Sequence, residues 1–306
     1  MRAIAFAAAL LAAGPALAQT RFPDAGPIVA AERTFAADAP VMGLTASFNK
    51  WAVPDAVMIA GGEVQTVRDV FPPDVPRPAD EIRLEWWPNL AGISRSGDMG
   101  FTTGGVAVNG RRTGHYFTIW QKQPDGSWRW VYDGGSGASA ADVPGPDSEP
   151  LILPVAPPPA MLRNAALDMP GTVPPPPAEQ AMAEVEDQEA ALATAAARDQ
   201  KAAHLSAMAD NGRLYVAPRP PAIGRDAFAG ALDGWPATFR FGPTQGGGQS
   251  RYGDLVWTYG PAAWTFEGHE RTGHYVRLWQ RQEDGFRIVL AQLIPAPPPA
   301  PPPAGG

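Results

Sequence analysis

The chain has 306 residues, with 24 Lys and Arg against 31 Asp and Glu and a net charge of −7. That balance argues against non-specific binding to a nucleic-acid backbone, which needs clustered cations, so no nucleic-acid partner is expected. Cysteine is absent, which excludes disulfides, zinc–thiolate centres, thiol nucleophiles and a lipidated amino-terminal cysteine.

The chain opens with Arg2, an apolar run from Ala3 to Ala13, and Ala16-Leu17-Ala18, the small-x-small pattern that a signal peptidase cuts. Residues 1–18 are expected to be a signal peptide, with the mature chain starting at Gln19 in a periplasmic or secreted setting. The run is too short to cross a bilayer and no later one reaches roughly eighteen apolar residues, so no membrane span is expected.

Ile28 to Asp38 and Val41 to Trp51 read as helices, with Pro40 in the first turn of the second or at a kink. A short third helix is expected near Gly62 to Val70, followed by several strands. The strongest signal lies in these strands. Arg112-Thr-Gly-His-Tyr-Phe-Thr-Ile-Trp-Gln-Lys-Gln123 returns as Arg271-Thr-Gly-His-Tyr-Val-Arg-Leu-Trp-Gln-Arg-Gln282, identical at eight of twelve positions. Gly97-Asp98 returns as Gly253-Asp254. The offset is 159 in the first match and 156 in the second, so the length change falls between them, in a hairpin turn where insertions are tolerated. Trp128 to Tyr132 lines up with Phe286 to Leu290, each after a Gly-containing turn, so each copy ends in an antiparallel hairpin.

The second copy begins with alanine-rich helical sequence from Ala178 to Met208, and a short helix is expected at Gly224 to Leu232, so both copies read helix, helix, short helix, then strands. Helices followed by strands, twice, predict an α+β fold. The expected organisation is a first domain over 27–135, a proline-rich linker over 144–177, a second domain over 178–294 and a proline-rich tail over 295–306, the linker and tail extended or disordered. Within the linker, Leu151-Ile-Leu-Pro-Val155 is apolar enough to dock on the first domain; an apolar accident in a spacer reads equally well.

These residues resemble the ketosteroid-isomerase-like, SnoaL-like branch of the nuclear-transport-factor-two-like superfamily, present as two tandem copies. In the first copy the resemblance rests on Ala31-Glu32-Arg33, Trp86, Gly97 to Gly104, Gly114-His-Tyr116, Trp120 to Gln123 and Gly126 through Asp133. In the second it weakens to Gly253-Asp254, Gly273-His-Tyr275, Trp279 to Gln282 and Gly285-Phe286, with Ala291 at the position of Asp133 and Phe239-Arg-Phe-Gly242 in the Trp86 region. It implies a cone-shaped domain in which a curved antiparallel sheet wraps helices around a cavity. Such folds serve isomerases, cyclases, dehydratases and non-catalytic domains alike, so the resemblance does not choose a reaction.

Alternation along the shared strand separates His115, Phe117 and Ile119 from Tyr116, Thr118 and Trp120. In the second copy the Tyr275 face carries Arg277, so the histidine face is expected to point into the cone, placing His115 and His274 at the cavities with Phe117 and Trp86 lining the first. His115, oriented by Asp98, is then a candidate acid or base. Glu85, beside Trp86 and with Asp133 nearby, is a second candidate for proton abstraction. The structural alternatives are a histidine bonded to neighbouring backbone and a Gly-Asp pair that shapes a turn.

No metal or cofactor motif is present: His269-Glu270 and His274 have the wrong spacing for a zinc helix, Gly246-Gly-Gly248 reads as a flexible loop or bulge, and no phosphate loop or nucleophile elbow occurs. The opposite, aromatic face with Tyr116, Trp120, Tyr275 and Trp279 needs cover, which predicts an intramolecular pseudo-dimer or a homo-oligomer through the outer sheet faces. The functional expectation is binding of a small apolar molecule in the first cavity. The alternatives are acid–base enzymology there, as an isomerase, dehydratase or hydrolase, and a structural module without ligand.

Overall fold

The computed structural model describes residues 23–138, 144–156 and 178–298. The expected signal peptide, most of the proline-rich linker and the end of the tail lie outside the described residues. Helix α1 (Gly26–Met42) has Pro27 in its first turn, where a missing N–H costs nothing. It buries Ile28, Glu32, Phe35 and Ala39 as one stripe. Pro40 lies inside this helix; the break comes at Gly43, whose φ of 91° suits a residue without a Cβ. Helix α2 (Leu44–Trp51) follows.

Two strands that the sequence reading did not mark come next, β1 (Ala52–Ala60) and β2 (Glu63–Thr66). Only Val67–Val70 is helical in the segment expected as a third helix. This is α3, held by a capping box in which Thr66 and Asp69 each accept the other's backbone N–H. Strands β3 (Leu84–Ile93), β4 (Met99–Val108), β5 (Arg111–Lys122) and β6 (Trp128–Gly137) then form consecutive antiparallel pairs. The two-residue β7 (Leu151–Ile152) adds to β3 in parallel, so the apolar linker segment does dock.

In the second half the helical sequence expected over 178–208 is two helices, α4 (Ala178–Ala196) and α5 (Gln200–Ala207). Asp199 accounts for the break: its carboxylate accepts from the Ala202 N–H at 3.0 Å and starts a new helix. Strands β8 (Met208–Tyr215) and β9 (Ala222–Ile223), helix α6 (Arg225–Leu232), and strands β10 (Arg240–Phe241), β11 (Gly246–Gln249), β12 (Leu255–Phe266), β13 (His269–Gln282) and β14 (Gly285–Pro295) complete it. The triple-glycine run, expected as a loop or bulge, is β11, paired with β12.

The sheet orders are β2-β1-β6-β5-β4-β3-β7 and β10-β12-β13-β14-β8-β9, with β11 also on β12. The expected antiparallel sheets are in fact mixed, because β1 runs parallel to β6 and β8 parallel to β14. The protein is thus α+β, two tandem cone-like domains with helices ahead of each seven-stranded sheet.

Three buried clusters hold these layers. One packs α1 and α2 (Ile28, Phe35, Phe48) on Trp86, Tyr116, Trp120 and Trp130 of the first sheet. A second packs α4 and α6 (Val185, Leu192, Phe228) on Val256, Trp279 and Ile288. The third joins the outer faces of the two sheets, with Phe101, Phe117, Ile119 and Tyr132 of the first against Tyr215, Trp257, Val276 and Leu290 of the second.

The face assignment drawn from alternation is therefore inverted. Tyr116 and Trp120 point to the helices, while His115, Phe117 and Ile119 point to the seam between the sheets. The misleading residue was Arg277: it is 1% exposed, inside the second cone, and paired with Glu189 of α4. A charge on a strand marks the solvent face only when it has no buried partner.

Polar bonds cross the same seam. The Arg95 N–H donates to Asp254 Oδ2 at 2.7 Å, and the Arg251 N–H donates to Asp98 Oδ2 at 3.1 Å. Each Asp thus accepts from the turn that precedes the other. Thr103 and Tyr215 share a hydroxyl–hydroxyl bond of 2.7 Å, and Gln280 Nε2 donates to the Pro154 carbonyl at 2.9 Å.

Candidate functional site

The first cone holds a cavity of ≈ 330 Å³. Its walls are mostly apolar, from Phe48, Met58, Phe71, Leu84, Trp86 and Val106, and the Gly134, Gly135 and Gly137 stretch of β6 leaves one side free of side chains. The polar side chains facing it are few, the composition expected of a small-molecule site.

Beneath the cavity lies a network built on Glu32, which is fully buried on the apolar stripe of α1. Trp86 Nε1 donates to Glu32 Oε1 at 2.6 Å, Trp120 Nε1 donates to Oε2 at 3.0 Å, and the Thr102 hydroxyl donates to Oε2 as well. Burial raises the Glu32 pKa, and these donors oppose the rise.

Asp133 stands on the cavity wall. It lies opposite Thr118 in the β5–β6 register and accepts from the Thr118 hydroxyl at 2.7 Å. Burial, then the charge of Glu32, push its pKa up to about 8, against the pull of Thr118. Two carboxyl groups in one dry network cannot both ionise cheaply, and Glu32 holds the stronger donor set. A carboxyl raised to about 8 favours its protonated form near neutral pH. Beside it lies the buried Tyr116 hydroxyl, its pKa raised well above the usual phenol value by burial and by Glu32, with Thr102 opposing the rise. The wall thus offers a carboxyl that burial favours in its neutral form and a phenol, both able to donate or accept.

Trp86 lines this cavity as expected, in a double role as wall and as donor to Glu32. His115 borders the cavity as well, as expected, though its ring turns away from it; the remaining expected residues lie elsewhere. The His115 ring packs edge-on against Tyr215 of the second domain, centroids 5.3 Å apart, in the seam. Burial and the charges of Arg112 and Arg213 lower its pKa to about 4, so it stays neutral and is not poised for exchange near pH 7. Phe117 is fully buried in the seam. Asp98 is committed to the Arg251 N–H and to Ser94 and Ser96, and does not orient a histidine. Glu85 points away from Trp86 and pairs with Arg83 at 2.7 Å. His274 borders a separate hollow of ≈ 400 Å³ with Gly62 and Glu63 of the first domain; burial lowers its pKa, opposed by Glu63.

The second cone repeats the network with different chemistry. Glu189 of α4 accepts from Thr258 at 2.7 Å, from Trp279 Nε1 at 2.8 Å, and from the Arg277 guanidinium. Thr258 and Trp279 match Thr102 and Trp120. Arg277 and Ala291, cross-strand partners, stand where the first domain has Thr118 and Asp133. Arg277 also lies 4.3 Å from the Phe241 ring and 4.1 Å from the Tyr275 ring, filling the interior beside them.

The key residue missed in the sequence is Glu32, and a signal for it existed. Ile28, Glu32, Phe35 and Ala39 match Val185, Glu189, Leu192 and Ala196 at a constant offset of 157. A glutamate on an apolar helical stripe, twice, marks a buried carboxylate.

No protein-family model and no curated protein sequence matches the chain. Solved structures do match. A ketosteroid isomerase-like protein from Erwinia carotovora atroseptica SCRI1043 is 19% identical over 38% of this chain and 96% of its own, with a TM-score of 0.32. An NTF-2-like protein of unknown function from Shewanella oneidensis MR-1 is 12% identical over 37% and 97%, with a TM-score of 0.31. An NTF2-like protein with a cystatin-like fold from Novosphingobium aromaticivorans is 17% identical over 44% and 88%, with a TM-score of 0.31. No helix among the described residues is long and apolar enough to cross a membrane.

Proposed function

We propose that the chain is an exported protein of two diverged ketosteroid-isomerase-like domains, packed as an intramolecular pseudo-dimer, whose first domain binds a small, largely apolar molecule. The observation that carries this reading is Asp133: a buried carboxyl, its pKa raised to about 8, on the wall of a mostly apolar cavity and next to the Tyr116 hydroxyl. The ligand it suits has an apolar body and one polar group, such as a carbonyl or hydroxyl, that bonds to Asp133 and Tyr116. The signal-like start supports export, and the sequence repeat supports the pairing of domains.

The test is native mass spectrometry of the mature protein purified gently from its export compartment. A co-purifying small molecule retained by the wild type and lost from Tyr116→Phe/Asp133→Leu supports the reading. An empty protein, or retention unchanged in the double variant, sinks it.

A second reading is favoured by the same carboxyl. A group titrating at about 8 can give and take a proton near neutrality, so Asp133 also suits acid–base chemistry on the bound molecule, with Tyr116 bonding to its polar group. Turnover of the retained compound that is lost in Asp133→Asn without loss of binding would separate catalysis from binding alone.

A further inference from the structure

We propose that the seam between the domains contains a second site, which takes a small oxyanion, carboxylate or phosphate, on Arg213 and His115. Arg213 projects from β8 on the same face as Tyr215, toward the first domain, and is 8% exposed. It makes no hydrogen bond or ion pair among the described residues, although its guanidinium carries five donors. Arginines this deep are otherwise paired. The comparison lies in the same domain, where the equally buried Arg277 is met by Glu189.

His115 shares this condition from the other side of the seam. It is 2% exposed and both ring nitrogens lack partners among the described residues, whereas the buried His204 bonds the Gln200 carbonyl at 2.8 Å. The charged groups that act on His115 are Arg112 and Arg213, both positive, and the group that acts on Arg213 is Tyr215, whose hydroxyl is engaged by Thr103. Arg112 is already occupied, stacked 4.5 Å from the Trp87 ring and donating to the Pro144 carbonyl, but it adds to the positive potential.

A protein of net charge −7 therefore gathers positive charge in this part of the seam, with no carboxylate acting on Arg213 or His115 among the described residues. An oxyanion supplies what is missing: two acceptors in the plane of the guanidinium fork and one for an imidazole N–H. The slight exposure of Arg213 limits the ligand to a small ion or to the end group of a longer molecule. The site needs both domains, since β5 provides His115 and β8 provides Arg213.

The experiment is thermal unfolding of the full chain in chloride, and in chloride partly replaced by inorganic phosphate or by acetate at equal ionic strength. Wild type, Arg213→Met and Arg213→Lys are compared. Phosphate stabilises most proteins slightly by exclusion from their surface, so the reading is the difference between wild type and variant. The expected result is a saturable rise in Tm for the wild type that is absent in Arg213→Met, with Arg213→Met melting above the wild type in chloride because an unpaired buried charge is gone. Arg213→Lys, which keeps the charge but not the fork, should need about tenfold more anion. The arm that responds tells phosphate from carboxylate. A variant-independent rise, no anion-specific rise, or an Arg213→Met protein that melts lower in chloride or does not fold would overturn the proposal.

Discussion

The two domains place the same carboxylate on the same helical stripe, against the same threonine and tryptophan, and then diverge at one cross-strand pair. With Thr118 and Asp133, the first cone keeps a cavity wall that carries a proton. With Arg277 and Ala291, the second spends its interior on an ion pair. The lesson is that one pair of neighbours on adjacent strands decides whether a shared framework leaves a carboxyl beside a hollow or fills its interior with an ion pair.

Breaking the pair in the second domain should have the largest effect. Arg277→Met leaves Glu189 buried without its counter-charge, and we expect a loss of about 3–5 kcal/mol in denaturant unfolding. An unchanged midpoint would show that Thr258 and Trp279 satisfy Glu189 alone.

In the first domain the effect depends on pH. The Asp133 carboxyl has an ordinary pKa of 3.8 and a folded value of about 8. Below about pH 4 it is protonated in both states and costs nothing. Between about 4 and 8 the unfolded chain releases the proton while the folded one retains it, so stability falls as pH rises, by up to about 1.4 kcal/mol per unit for an ideal site. Asp133→Asn removes this term. The variant should match wild type near pH 4 and exceed it at pH 8; parallel stability curves would mean that Asp133 is ionised in the fold.

The smallest effects belong to the seam, where the domains are most alike. Asp254 is 1% exposed and bonds the Arg95 N–H at 2.7 Å, whereas Asp98 is more open and bonds the Arg251 N–H at 3.1 Å. Asp254→Ala should cost about 1.5–3 kcal/mol and Asp98→Ala less. The reverse order would place the main clasp on the first domain's side.

Much of the architecture was legible in the sequence because it rests on local rules: hairpin turns, a proline-rich spacer, helix-forming segments ahead of strands, and a twelve-residue match. What escaped depends on partners distant in the chain. The sign of the sheet faces turned on Arg277, whose partner Glu189 is 88 residues away. Trp86 was placed correctly because a tryptophan beside a cavity needs no particular partner to be recognised. Glu32, which binds it, was overlooked because its donors come from three strands. Asp98 and Asp254 looked like turn residues and are, but each also holds the other domain's turn, which alternation along one strand does not reveal.

The seam has a consequence for how the two halves can change over time. Phe101, Phe117, Ile119 and Tyr132 pack in one cluster with residues of the second domain, so a chain that lost it would turn much of an aromatic sheet face to water and invite aggregation. On the function proposed above, a requirement for the first cavity alone is enough to retain the second domain as a cover for that face, while placing little demand on its interior. Under such one-sided constraint a cone is free to trade its proton-bearing wall for internal strength, and the Arg277–Glu189 pair is what that trade leaves behind.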